Sequence, residues 1–425
     1  MVSSIGNQSV KPNGDSIAVI GAGVIGLSCA LEAQRQGFNV TLFDRDEPGL
    51  GASFGNAGYL ATELIEPLSN PATLRSALSL WLNPKGPLAL PVRYMHRIAP
   101  WLFRFVLAAL PQSLERSRKA LLQLNSASIE AWQRSLDDID AREQIIKSGY
   151  LLVWESAKGL AAVQRHQAWL ADNGIQTELV QGERLIELEP ALSRGVSHAL
   201  YFPDAYRVKE PHELCQRLFT AFTERGGQFI QQAVTDLIPS MNEVGVRTEK
   251  DTYQYDHTIL CAGVWSRKLL NSVGLDLPLE AERGYHVTFP TATTLLRHHI
   301  GSAERKFVMG PLASGLRVVG MTELGGLTLP PCQRRFEVLR HHSQQLLPEL
   351  NTSEREGSEW MGHRPTLPDS LPVIDQHPDY GRLCFAFGNQ HLGVTQAAIT
   401  AELMLQLIQK QATSIDTSPF GVDRF

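Results

Sequence analysis

Apolar and polar positions along the chain alternate in blocks that predict short buried strands and amphipathic helices, the pattern of an α/β protein. Ser16 to Ile20 reads as a buried strand, the stretch from Gly26 to Gly37 as a helix, and Asn39 to Phe43 as a second strand ending at Asp44. Leu114, Leu121, Leu124, Ile129 and Trp132 recur at near-helical spacing and predict one long helix over 112–140. A strand at 150–154, a helix at 158–173 stopped by Gly174, and a short helix at 181–190 stopped by its proline follow. Leu214, Leu218 and Phe222 share one face of a helix over 210–226, with a strand at 228–232 behind it. A β-meander over 235–252 leads to the strand 255–261, which turns at Ala262-Gly263. Short strands at 280–290, 307–311 and 316–321 suit an antiparallel sheet, and a helix spans 334–347. A strand at 383–387 delivers the segment Gly388 to Gly393, and an amphipathic helix over 394–410 closes the fold.

Chemistry enters first at the turn after the first strand. Gly21, Gly23 and Gly26 form G-x-G-x-x-G between a predicted strand and a predicted helix, and Asp44 lies 18 residues beyond Gly26. That order is a dinucleotide-binding βαβ unit, in which glycines let a pyrophosphate approach the backbone and an acid meets a ribose. A glycine-dense segment, 48–58, comes next; its small residues suit a flat, rigid group such as an isoalloxazine ring, or form an ordinary loop. From Asn70 to Pro111, Pro and Gly breaks alternate with apolar and aromatic residues, Arg75, Lys85, Arg93, His96, Arg97 and Arg104 are interleaved, and no acid occurs between Pro71 and Leu110. The stretch is either a lid over a substrate pocket or a basic amphipathic surface for a membrane.

At 425 residues the chain has room for two or three domains, and its net charge of −5 argues against a nucleic-acid partner. Five scattered cysteines, none in a C-x-x-C pair, predict neither disulfides nor a metal site and suit a reducing, cytoplasmic setting. Residues 1–15 read as a flexible polar tail without a secretion signal. No apolar run reaches the ~18 residues that span a bilayer, and the paired histidines lack companion ligands, so no metal is expected.

Six segments together carry a resemblance: GAGVIG with Asp44, SFGNAG at 53–58, ILCAGVWS at 259–266, ERGYHV at 282–287, GHRPTLPDSLPVID at 362–375, and GNQHLGVT at 388–395. In this order they resemble the D-amino-acid oxidase superfamily of FAD-dependent oxidoreductases, most closely its bacterial D-amino-acid dehydrogenase branch. The resemblance implies a Rossmann-like FAD-binding domain assembled from discontinuous segments (16–70, 200–275 and 356–425). It also implies a substrate domain (71–199 and 276–355) on a mixed or antiparallel sheet with helices. FAD would contact Gly21, Gly23, Gly26, Asp44, Arg45, Ser53, Asn56, Ala57, Gly58, Ala262, Gly263, Gly388, Asn389, Gly393, Val394 and Thr395. It would be noncovalent, since 359–380 holds no cysteine.

The implied reaction is oxidation of a D-amino acid or related small amino acid, with hydride passing from the α-carbon to flavin N5 and the imine hydrolysing to a 2-oxo acid. Arg364 falls where the family places its carboxylate-binding arginine, whose planar fork suits bidentate pairing. Tyr285 and His391 are further candidates for the substrate site. The helix after Gly393 could direct its amides at the charge of reduced flavin. Alternatives are a secondary-amine substrate, such as a D-proline derivative or sarcosine, and a flavin-binding accessory or electron-relay subunit. The resemblance also suggests quinone or another acceptor, with the basic stretch docked at the inner face of the cell membrane.

Overall fold

A computed structural model describes residues 14–83, 85–156, 159–353 and 356–425. The expected tail and the first residue of the helix read over 158–173 therefore fall wholly or mainly outside the described residues. Two large sheets organise the rest. The first has six strands in the order Gln228–Gln231, Asn39–Asp44, Ser16–Ile20, His257–Leu260, Leu383–Phe387 and Val373–Gln376. All its pairings are parallel except the last. Its inner strands are buried on both faces, by helices on one side and, on the other, by a three-stranded antiparallel sheet (Val234–Pro239, Val244–Thr248 and Thr252–Tyr255) with the helix Ser266–Ser272.

The helix Val24–Arg35 packs on this sheet and on Gly393–Ile408, which in turn packs on the long helix Pro111–Asp137. Trp132, fully buried, donates its indole N–H to the Val394 carbonyl at 2.8 Å and so sets the start of Gly393–Ile408. A buried amide chain continues this support: Gln396 donates to Asn125 at 2.9 Å and accepts from Asn389 at 2.9 Å.

The second sheet has nine strands. In order they are Ser358–Thr366, Glu280–Phe289, Gly315–Leu324, Phe307–Leu312, His299–Ser302, Tyr150–Trp154, His198–Phe202 and Glu178–Gln181, with Leu88–Ala89 paired beside Gly315–Leu324. It is mixed, mostly antiparallel, and the helix Gln333–Leu346 covers one face through Phe336 and Leu339. Strand Ser358–Thr366, grouped from sequence with the dinucleotide-binding segments, is instead the edge of this second sheet. Its partner along nine residue pairs is Glu280–Phe289.

The stretch 70–111 is more regular than its prolines suggest. It forms helices Pro71–Leu82 and Met95–Ala108, the first capped by the Asn70 side chain and the second carrying Pro100 within it. The inner side closes one end of the nine-stranded sheet: Leu88–Ala89 pairs with Thr322 and Glu323, Tyr94 donates to Glu280 at 2.9 Å, and Ile98 and Trp101 pack on Leu324. Its outer side leaves Leu78, Leu82, Val92, Phe103, Val106, Leu107 and Leu110 exposed. Among the described residues no helix is long and apolar enough to cross a membrane.

Candidate active site

A cleft runs over the carboxyl ends of the parallel strands, the place where open α/β sheets bind ligands. Gly21, Gly23, Asp44, Arg45, Ser53, Asn56, Ala262, Gly263, Gly388, Asn389, Gly393 and Val394 line it. Gly21 has φ +108°, and a Cβ there would strike the Cys261 carbonyl; a Cβ at Gly26 would overlap the Gly21 oxygen. Gly26 thus serves strand–helix packing and Gly23 opens on the cleft.

Asp44 accepts from the Ala22 amide at 2.7 Å and from the Asp46 amide at 3.0 Å. Burial raises its carboxyl above the ordinary value, opposed by those two amides. Arg45 stacks over the Trp265 ring at 4.2 Å and pairs with Asp46 at 2.9 Å. Ser53 accepts from the Val24 amide at 3.0 Å, tying the glycine-dense loop to the amino end of the first helix. At the other end of the cleft Asn389 keeps a buried Oδ1 without a partner among the described residues. Open helix amides, a glycine floor, an acid at the end of the second strand and an unmatched buried acceptor fit an extended dinucleotide.

Besides Gly26, three of the expected contacts serve elsewhere. Ala57 accepts from His299 Nε2 at 2.8 Å, and Gly58, with φ +78°, packs against Leu312, so both hold the loop on the nine-stranded sheet. Thr395 is buried and accepts from the Ala61 amide at 3.0 Å. Trp265, His363 and Gln390 line the cleft unforeseen, although all three lie within the six motif segments.

The strand Ser358–Thr366 crosses the end of the cleft with His363 and Pro365 turned to it. Arg364 points to the other side, where it donates from Nη1 to Glu282 at 2.7 Å and to the Met321 carbonyl at 3.2 Å. Its Nε and Nη2 have no partner among the described residues, so one edge of the fork stays open. Glu282 also accepts from Thr322 at 3.0 Å and Thr366 at 2.9 Å. Burial pushes the Glu282 carboxyl up, but Arg364, with His391 and Thr366 adding, holds the group below its ordinary value. His391 lies within range of both charges. Burial brings its imidazole down to about 4, with Glu282 opposing and Arg364 adding, so it is neutral at pH 7.

Tyr285 requires a correction. Alternation along Glu280–Phe289 turns it to the opposite face from Glu282, where its hydroxyl bonds Glu323, accepts from the Cys332 amide at 3.3 Å, and its ring packs on Phe336. Arg283 shares that face and pairs with Glu323 at 2.9 Å. Neither faces Arg364. Glu282, two residues before Gly284 in the same motif, is the partner of Arg364 that sequence reading missed.

The profile of the family described as FAD dependent oxidoreductase (DAO) matches residues 16–407. The chain is 31% identical to a D-amino-acid oxidase of Bradyrhizobium diazoefficiens, covering 97% of this chain and all of that protein. It is 30% identical to D-amino acid dehydrogenase 2 of Pseudomonas aeruginosa, covering 95% and 97%. Among solved structures, glycine oxidase from Geobacillus kaustophilus superposes with a TM-score of 0.77 at 19% identity over 97% of this chain and 99% of the other. L-Proline dehydrogenase from P. horikoshii superposes with a TM-score of 0.73 at 18% identity over 98% of each. With cleft, fold and profile in agreement, the chain belongs to the DAO family of FAD-dependent oxidoreductases.

Proposed function

We propose that the protein oxidises the C–N bond of a D-amino acid or a related small amino acid. The observation that carries this reading is the guanidinium of Arg364, held on one edge by Glu282 and open on the other, on a strand whose neighbouring His363 and Pro365 line the cleft. A planar fork anchored this way accepts a carboxylate in one orientation, and fixed orientation is what transfer from the α-carbon demands. Bound FAD supplies the acceptor for the substrate's hydride. The residues do the rest. Arg364 fixes the carboxylate; Gly393 and Val394 bring helix amides to the cleft; neutral His391 adds no competing cation beside Arg364. FAD binds noncovalently. Cys261, the cysteine lining the cleft among the described residues, has its thiol raised well above the ordinary range by burial, with Cys29 and Cys384 adding.

The outer side of 71–110 supports contact with an anionic membrane. Seven exposed apolar side chains lie there among arginines, with no acid in the stretch, a composition that joins apolar insertion to attraction by anionic headgroups. Electrons then leave to a quinone or another membrane acceptor.

Anaerobic mixing of the FAD-loaded protein with D-amino acids, D-proline derivatives and sarcosine tests the reaction. Loss of visible flavin absorbance with a D-amino acid is the expected result; bleaching by none of them would overturn it. The rate at which colour returns in air separates oxidase from dehydrogenase.

A further inference from the structure

On the strand pair Glu280–Phe289 and Ser358–Thr366, three successive cross-strand pairs share the face that carries Arg364: Glu282 with Arg364, Gly284 with Gly362, and His286 with Trp360. The middle pair has no side chains. From one side the Arg364 guanidinium leans over Gly284, where a Cβ would overlap it; from the other the Trp360 indole leans over Gly362, where a Cβ would again overlap. Gly55 of the glycine-dense loop is bare for the same reason, since its Cβ would fall within the indole. Successive same-face rungs are roughly 7 Å apart, so the indole edge and the guanidinium are near neighbours over a floor of backbone.

The indole is held firmly. His286 stacks behind it at 5.1 Å and 19°, and donates from Nδ1 to the Gly55 carbonyl, 3.2 Å away. Phe54 lies against it at 5.9 Å. Burial keeps His286 neutral, bringing it down to about 3, with Arg317 adding and Gly55 opposing. The nearby cation, Arg317, is fully used: it pairs with Glu210 at 3.0 Å and donates to the Phe54 and Asn56 carbonyls at 2.9 and 3.0 Å and to Thr288 at 3.1 Å. A charged side chain laid along this wall therefore meets no free counter-charge, while an apolar or aromatic one meets a flat ring.

Resting on the reading of this site as an amino-acid oxidising centre, we propose that Trp360 is a specificity-determining residue. It forms the wall for the substrate's side chain and selects apolar and aromatic amino acids over acidic and basic ones.

The test uses the FAD-loaded protein with two readouts. Flavin difference spectra give dissociation constants for phenylacetate and acetate, and anaerobic flavin bleaching gives kcat/KM for D-phenylalanine, D-leucine, D-aspartate and D-arginine. The wild type is expected to favour the apolar member of each comparison by about tenfold or more. Trp360→Ala should bring the phenylacetate-to-acetate ratio down about tenfold, and Trp360→Phe should retain most of it. A wild-type preference for charged side chains, or the same ligand ratio in Trp360→Ala, would overturn the proposal. Should no amine bleach the flavin while the ligand ratios behave as expected, the proposed reaction fails and the aromatic wall stands.

Discussion

Replacing Arg364 with leucine removes two interactions at once, and their different signatures allow them to be separated. The open edge of the fork loses its carboxylate partner. Truncating one side of a desolvated charge pair costs about 2–5 kcal/mol, which is roughly 30-fold to several-thousand-fold in affinity. The other edge leaves Glu282, 3% exposed, without its cation. Breaking a buried pair in this way destabilises by about 3–5 kcal/mol, and the 18% exposure of Arg364 places the expectation at the low end. The pH dependence follows from the sign of the Glu282 shift. In the wild type the carboxyl is held below its ordinary value, so the pair adds stability that is present above that ordinary value and is lost as pH falls through the folded one. In Arg364→Leu burial is opposed only by the hydrogen bonds from Thr322 and Thr366 and by His391, and should raise the carboxyl, so the protein regains stability as acid protonates it. Thermal unfolding of the FAD-loaded proteins should show the largest Tm gap near pH 7 and a shrinking gap toward pH 4. Adding Glu282→Leu should recover much of the Tm at pH 7 but none of the affinity for carboxylates, measured by flavin difference spectra with acetate or benzoate. An unchanged KM and unchanged carboxylate affinity in Arg364→Leu would refute the placement of the substrate at this arginine. A Tm gap independent of pH would refute the role of Glu282 as its buried partner.

Asp44→Ala removes the acceptor of the Ala22 and Asp46 amides and should lower the FAD retained after dialysis about tenfold or more; full flavin occupancy would contradict its assignment. Glu63, buried and bonded to the Tyr59 hydroxyl at 2.7 Å, is raised to about 7 by burial, with Tyr59 opposing. A carboxyl raised on folding holds its proton more tightly in the native state, so stability is highest below the ordinary carboxyl range and falls as pH rises through 7, by about 3 kcal/mol at full extent. Glu63→Gln should flatten that slope and raise Tm at pH 8; a pH profile parallel to wild type would remove Glu63 as its source. Arg93→Glu, Arg97→Glu and Arg104→Glu together should abolish cosedimentation with vesicles rich in phosphatidylglycerol and leave kcat with a soluble dye acceptor near wild type. Retained cosedimentation would end the membrane reading.

The sequence by itself determined the strand–turn–helix of the dinucleotide cleft, because Gly26 answers to a backbone collision with Gly21 in the same turn and Asp44 ends the adjacent strand. It also determined the long helix 111–137, five strands of the six-stranded sheet and four of the nine-stranded one, since burial of one face or both writes a period into local residue order. Tertiary structure decided what depends on register between distant strands. That Arg364 meets Glu282 and not Arg283 or Tyr285 follows from pairing 280–289 against 358–366, where a shift by one residue would turn each of them to the other face. The helices of 71–110 were hidden because their exposed apolar side chains blur the amphipathic pattern and because prolines at 71 and 100 read as breaks. Ala57, Gly58 and Thr395 sit in cofactor motifs yet support the loop and helix from behind, through a backbone carbonyl, a close approach and a hydroxyl respectively, a distinction invisible to motif spacing. Local sterics are encoded residue by residue, whereas the partner of a buried charge is set by the three-dimensional packing that brings it there.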